Sequence, residues 1–361
     1  MYIRKKFRFE NKITLSSEDC LSLLRDIPDG AAQLVITSPP YNVGKEYEES
    51  LTLDQYISLQ QQVISECARI TRAGGSICWQ VGNHRNGHSQ VIPLDILLYP
   101  LFVAASSMLR LRNRIVWHFE HGLHCTKRFS GRHETILWFT KGDTYTFNLD
   151  SVRVPQKYPG KLAYKGNRRG QPSCHPLGKN PGDVWILPNV KNNHLEKTLH
   201  PCQFPLEIPE RLILCLSNEG DLVVDPFIGV GTTAAAAIIH KRRVAGADVN
   251  TTYLAIARHR VFSAMRGKLK RRPAGLPIYE PKPNTSLTTN PFTAPNSFRD
   301  SSARAHDKHS SRIQICTDLS AREFCRSHDS EEAVTYCRQI TAVAHESRLH
   351  QEESMRAVAG L

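Results

Sequence analysis

Several patterns are missing from this chain of 361 residues, and each absence removes a class of protein. Its ten cysteines include no Cys-x-x-Cys pair, so neither a zinc site nor a disulfide framework is indicated. Cysteines used in this way fit reduced thiols in a cytoplasmic protein. The first residues, Met1-Tyr2-Ile3-Arg4-Lys5-Lys6, lack the apolar core of a secretory signal. The longest apolar stretch, Ile96 to Met108, is interrupted by Pro100 and is too short to span a bilayer. No membrane and no metal are therefore expected as partners. Acidic residues are in short supply, with 34 Asp and Glu against 47 Lys and Arg and a formal charge of +13. That excess suits a polyanionic partner, although charge alone is equally compatible with a merely basic surface. The length suffices for a full α/β core plus an accessory region.

The informative residues are concentrated in two segments. The apolar run Leu222-Val223-Val224 leads into Asp225-Pro226-Phe227-Ile228-Gly229-Val230-Gly231-Thr232-Thr233 and then into the alanines Ala234 to Ala237. A buried strand, a glycine turn and a helix in that order form the loop on which nucleotide-like cofactors sit. Glycine lets the backbone approach a ligand that a Cβ would hold off. By itself such a loop is common in α/β proteins. The second segment is Thr37-Ser38-Pro39-Pro40-Tyr41, after the apolar run Leu34-Val35-Ile36. Paired prolines stiffen the chain and remove two N–H groups, which leaves carbonyls as acceptors.

Together, and in this order, the segments resemble the S-adenosylmethionine-dependent DNA amino-methyltransferases in their beta arrangement, with Ser-Pro-Pro-Tyr ahead of the glycine loop. The resemblance spans residues 12 to 264. It implies a Rossmann-like methyltransferase fold, S-adenosyl-L-methionine as cofactor and double-stranded DNA as substrate. The reaction it implies is methyl transfer to the exocyclic amine of a base flipped out of the duplex. Ser38 Oγ and the Pro39 carbonyl would accept the N–H bonds of that amine, Pro40 would stiffen the turn, and Tyr41 would stack on the base. Ser at the first position favours cytosine N4. The continuation Asn42-Val43-Gly44-Lys45 is similar to runs in adenine-modifying relatives and keeps adenine N6 as the alternative.

For the cofactor, the resemblance assigns Asp225 to the methionyl ammonium, the Gly229, Gly231 and Thr232 turn to the carboxylate, and Phe227 to an apolar wall. Asp248, roughly 20 residues past the loop and after its own strand, would hold the ribose hydroxyls. Asp19 matches the position facing the adenine end, and is equally placed to cap a helix at Leu21 to Leu24. Thr198 and His200, in Thr198-Leu199-His200-Pro201-Cys202-Gln203-Phe204-Pro205, would line the methionyl side. Cys202 follows a proline, as does the nucleophile of the carbon-5 cytosine methyltransferases. It stands ahead of the glycine loop instead of after it, and is expected to be no nucleophile.

Strands alternate with helical segments over residues 13 to 140, which argues for a doubly wound, mostly parallel sheet. Strands are expected at Leu34 to Ile36, Ser76 to Val81, Asn113 to Phe119 and Thr135 to Phe139, with helices at Leu53 to Thr71 and Leu94 to Leu109. Arg72-Ala73-Gly74-Gly75 reads as a turn, and His121 to His133 as a polar, hairpin-like run whose Arg128, Arg132 and His133 would flank the flipped base. The α/β pattern resumes with a helix over Leu206 to Ser217, a strand over Arg243 to Asp248 and a helix over Thr252 to Met265.

The domain reading is a catalytic half (12–140), a basic target-recognition insertion (141–197), a cofactor-binding half (198–272), a flexible linker (273–311) and a tail (312–361) with the helix-compatible run Glu331 to Ala344. Within the insertion, Lys157, Lys161, Lys165, Arg168 and Arg169 are candidates for DNA contacts. The resemblance further implies a cytoplasmic restriction–modification methylase, with a cognate endonuclease as a possible companion. Two rivals fit less well. RNA and protein-amide methyltransferases usually carry the cofactor loop first and lack a basic insertion, and a vestigial DNA-binding module has no reason to keep both motifs intact.

Overall fold

The computed structural model describes residues 2–42, 51–86, 90–122, 124–191 and 194–276. Val43 to Lys45 and the linker and tail readings for residues 277–361 lie outside them. Among the described residues ten strands occur in chain order: β1 (Ile13–Ser16), β2 (Ala32–Thr37), β3 (Thr71–Val81), β4 (Asn83–Asn86), β5 (Gln90–Pro93), β6 (Leu109–His118), β7 (His133–Lys141), β8 (Val184–Ile186), β9 (Leu222–Asp225) and β10 (Arg243–Ala247). The helices are α1 (Cys20–Asp26), α2 (Leu53–Ile70), α3 (Leu94–Ala105), α4 (Glu207–Leu216), α5 (Thr232–Ile239) and α6 (Thr251–Met265).

Eight strands form one sheet in the order β1-β10-β9-β2-β3-β7-β6-β8, and β4 pairs with β5 in a separate ribbon. Within the large sheet, β7 is antiparallel to both its neighbours while the remaining pairs are parallel. Strand residues alternate between two cores, as period-two side-chain geometry requires. Leu34, Ile36, Val223, Ile136 and Trp138 face the core built with α4, α5 and α6. Val35, Leu222, Val224, Leu137 and Phe139 face the core built with α1, α2 and α3. A sheet covered on both faces explains why its central strands are continuously apolar instead of alternating.

Local signals fix the helix starts. Thr52 and Gln55 form a reciprocal capping box at α2, Asn250 caps α6, and Asp19 caps α1. The element order places β9 beside β2, and the chain winds outward from that pair in both directions. This is the switch point of a doubly wound sheet, where ligands lie beyond the strand ends.

Four features differ from the sequence reading. The Gly74–Gly75 turn is an irregularity inside β3: a Cβ on Gly75 would meet the Gln33 carbonyl oxygen at 2.8 Å, and the β2–β3 register shifts between Ala32 and Leu34. Two adjoining backbones approach too closely there for a side chain. Helix α3 stops at Ala105, and the chain turns at Ser106 to begin β6 at Leu109. Short β1 and β8 carry too few residues for a periodic signal, yet both add to the sheet. The basic stretch from Lys141 to Lys197 thus contributes an edge strand, β8, paired with β6.

The α1–α3 core closes around Phe102, fully buried, stacked on Phe139 at 4.4 Å and edge-on to Trp79 at 5.5 Å. Phe102→Ala is expected to lower unfolding free energy by about 3–5 kcal/mol, read from the midpoint of a urea transition at unchanged slope.

Candidate active site

Because β1, β2, β9 and β10 run parallel, the residues that follow them share one edge of the sheet: Asp19 after β1, Ser38 after β2, the glycine loop after β9 and Asp248 after β10. Strand β7 runs the other way, with Thr135 opposite Val81, so its first residues reach the same edge. Topology alone brings together side chains far apart in sequence.

The two motifs are joined directly. Asp225 is 1% exposed, and its carboxylate accepts from Thr37 Oγ1 at 2.7 Å, Thr233 Oγ1 at 2.6 Å and the Phe227 N–H at 3.2 Å. Those donors come from the end of β2, the first turn of α5 and the glycine loop. Burial pushes the Asp225 carboxyl up to about 6, against the pull of its donors. Its main visible work is therefore internal: it pins the Ser38 turn to the cofactor loop. A carboxylate offers about four lone-pair sites, which leaves room for one further donor.

The loop is shaped for close approach. Gly229 and Gly231 both take left-handed backbone, at φ 49° and 75°. A Cβ on Gly231 would lie 2.8 Å from Ala257 Cβ on α6, whereas one on Gly229 would meet only the His200 ring, at 3.6 Å. Gly231 thus serves helix packing, and Gly229 keeps the loop surface low. Behind the loop, buried Arg260 donates to the Val230 carbonyl at 2.8 Å and to Thr232 Oγ1 at 2.9 Å. Thr232 faces this guanidinium. Phe227 is half-buried against the α1–α3 core.

Asp248 accepts from the Gly229 N–H at 3.1 Å and the Asn250 N–H at 2.7 Å, which sets its carboxylate against the loop. His200 packs on Tyr253 at 4.7 Å, and its Nδ1 accepts from the Cys202 N–H at 3.1 Å. Burial and the nearby Lys197 and Arg260 charges push His200 down to about 4, so the ring is neutral at pH 7 and carries its proton on Nε2. Thr198 donates to Gln203 Oε1 at 2.8 Å and receives the His200 N–H at 3.3 Å. Asp19 is exposed and its Oδ1 accepts from the Leu21 and Ser22 N–H groups at 2.9 and 3.1 Å. Helix capping is the role its geometry displays.

At the Ser38 turn, Ser38 Oγ lies 3.0 Å from Tyr41 Oη, and Tyr41 donates to Glu134 Oε2 at 3.1 Å. Gln80 Nε2 donates to that same oxygen at 2.8 Å. Burial raises the Glu134 carboxyl; the bonds from Gln80 and Tyr41 and the charge of Lys191 act in the other direction. Burial, followed by the Glu134 charge, raises the Tyr41 phenol well above its ordinary value, so it stays protonated at neutral pH. Pro39 is buried, while Pro40 and Tyr41 are partly exposed. Glu134, Gln80 and Arg260 were absent from the sequence reading. A visible signal existed for two of them: Gln80 is a polar residue within the otherwise apolar run Ile77 to Val81, and Glu134 is an acid near the start of β7.

The five basic candidates Lys157, Lys161, Lys165, Arg168 and Arg169 are all exposed. They sit on a looped-back segment in which Leu162 bridges Pro172 and Ala163 pairs with Gln171. Exposed Tyr158 and Tyr164 accompany them, with Lys157 and Lys165 near the ring faces at 5.6 and 5.3 Å. Arg128 and His133 are exposed and Arg132 partly so, on the β6–β7 connection at the ligand edge. Among the described residues, no His, Cys, Asp and Glu group could hold a metal ion, and no helix is long and apolar enough to cross a membrane.

Comparison with known proteins bears on what this edge does. Residues 32–259 match the family model of N6/N4 DNA methylases. The chain belongs to that family. The type II methyltransferase M.BglII of Bacillus subtilis is 46% identical over 256 residues, 71% of each chain. The DNA adenine methyltransferase YhdJ of Escherichia coli (strain K12) is 32% identical over 280 residues, 74% of this chain and 91% of YhdJ. Among solved structures, a DNA modification methylase of Thermus thermophilus, TTHA0409, complexed with S-adenosyl-L-methionine, superposes with a TM-score of 0.50 at 25% identity over 70% of this chain and 94% of that one. The cytosine-N4-specific PvuII DNA methyltransferase superposes with a TM-score of 0.55 at 19% identity, over 71% and 92%, a likeness of fold. S-adenosyl-L-methionine is the methyl donor of this family.

The two loop glycines differ in what they protect. Gly231→Ala combines a clash at Ala257 with a left-handed backbone that costs an L-residue about 1–2 kcal/mol, and is expected to destabilise the protein by more than Gly229→Ala. Equilibrium denaturation of both variants checks the order.

Proposed function

We propose that this protein methylates the N4 amine of cytosine in double-stranded DNA, using S-adenosyl-L-methionine as donor. The observation that carries the reading is the Thr37–Asp225 bond, which sets the Ser38 turn beside the glycine loop in a member of the DNA methylase family. The loop fits the donor's chemistry: a low glycine surface at Gly229, a carboxylate at Asp248 beside it, and a neutral His200 that adds no positive charge near a sulfonium.

When bound, the donor supplies an electrophilic methyl on a cationic sulfur. Loop N–H groups other than those of Gly229 and Gly231, which donate to Asp248 and the Ile228 carbonyl, hold its carboxylate, Asp248 holds the ribose hydroxyls, and Phe227 forms an apolar wall. The remaining lone-pair site of Asp225 meets the ammonium, and Asp19 marks the adenine end. On the other side of the site, Ser38 Oγ and the Pro39 carbonyl accept the two N–H bonds of the target amine. This turns the nitrogen lone pair toward the methyl, and the rate then rests on proximity and alignment. Tyr41 supplies the aromatic surface for a base taken out of the stack. Lys157, Lys161, Lys165, Arg168 and Arg169 contact the duplex, where charge provides affinity and register.

Ser at position 38 supports cytosine N4. The likeness to the adenine methyltransferase YhdJ supports adenine N6 as the second reading. The likeness to type II methyltransferases supports a role as the modification partner of a restriction endonuclease.

Incubation with unmethylated bacterial DNA and methyl-labelled S-adenosyl-L-methionine, digestion to nucleosides and mass spectrometry test the reading. The expected product is N4-methylcytosine, abolished in Ser38→Ala. N6-methyladenine would replace the base assignment, and unlabelled DNA with folded, cofactor-bound protein would refute DNA as substrate.

A further inference from the structure

We propose that Glu134 is a positioning residue for methyl transfer: acting through Tyr41, its carboxylate sets the direction of a hydrogen-bond chain so that Ser38 presents acceptor lone pairs to the target base. The inference rests on the reading of Ser38 as the amine's acceptor.

An ionised carboxylate only accepts hydrogen bonds, and a phenol has one proton to give. Glu134 Oε2 receives Gln80 Nε2–H at 2.8 Å and Tyr41 Oη–H at 3.1 Å. With its proton committed to Glu134, Tyr41 can only accept from Ser38, 3.0 Å away. The Ser38 proton is thereby committed to Tyr41, and its lone pairs remain for the base. Every step is polarised in the same sense, which strengthens Ser38 as an acceptor. The ring lies close against Gly82, where an added Cβ would come within 3.1 Å of Tyr41 Cε2, so the glycine leaves room for the ring in this chain.

The consequence is a choice of substrate group. A base offering an amine meets an acceptor. A base offering a carbonyl at the same place, as thymine and guanine do, meets oxygen lone pairs and no donor from Ser38. An uncharged amide at position 134 can donate as well as accept, so the chain would lose its fixed direction as well as its charge.

The test uses the full-length protein with Glu134→Gln, Tyr41→Phe and the double variant. Single-turnover methyl transfer to DNA is measured beside cofactor and DNA affinities. Glu134→Gln is expected to slow the chemical step by about tenfold or more, with both affinities within about threefold of wild type. Because Glu134 acts through Tyr41, the double variant should be no slower than the slower single variant by more than about twofold. A second readout is independent of turnover. The Tyr41 phenolate absorbance, obtained by subtracting Tyr41→Phe protein, should appear at lower pH in Glu134→Gln, where the neighbouring negative charge is gone. An active wild type with an unaffected Glu134→Gln rate, multiplicative losses in the double variant, or an unmoved Tyr41 titration would each overturn the inference alone. A wild type that transfers no methyl to DNA would overturn the functional reading and the inference with it.

Discussion

The geometry of this site depends on one buried carboxylate. Asp225 sits at the end of β9 almost without solvent, where an unpaired charge would be costly. Its three donors, Thr37, Thr233 and the Phe227 N–H, must stay in place to offset that cost. Each donor belongs to a different functional part, so the requirement that holds the carboxylate also holds the Ser38 turn, the start of α5 and the glycine loop in mutual register. A loose pair of loops would bring the same residues together only part of the time. Here the distance between donor site and acceptor site is set by hydrogen bonds inside the protein.

Around that pin, the sheet converts chain order into proximity. Parallel strands deliver their following turns to one edge, and β7, antiparallel to its neighbours in the large sheet, delivers its beginning there. The Ser38–Tyr41–Glu134–Gln80 chain therefore joins β2, β7 and β3 across their ends. Arg260 performs the matching task on the cofactor side, where a buried guanidinium braces Val230 and Thr232 from α6. Both devices surround an ionisable group with fixed partners, an arrangement that keeps a site in one shape before any ligand arrives.

Much of this was legible in the sequence, for reasons that can be named. Leu222 to Val224 and Leu34 to Ile36 announce buried strands because a sheet covered on both faces needs apolar residues at every position. Gly229 and Gly231 announce a turn because left-handed backbone excludes most side chains. The spacing from Asp225 to Asp248 follows from one strand–helix–strand unit. Other features gave weak or misleading signs. Gly74 and Gly75 read as a turn but accommodate a close approach of β2 and β3. Asp19 reads in sequence both as a cofactor position and as a helix cap, and its observed bonds display the cap. Strands β1 and β8 were too short to show a period.

The sequence by itself determined the α/β class, the two motifs, their order and the family to which the chain belongs, because strand burial, glycine turns and rigid proline turns are encoded in consecutive residues. Tertiary structure decided which distant side chains complete the site. Glu134, Gln80 and Arg260 gain their meaning only when strand pairing and helix packing bring them to the sheet edge, since hydrogen bonds between residues far apart in the chain leave no local pattern.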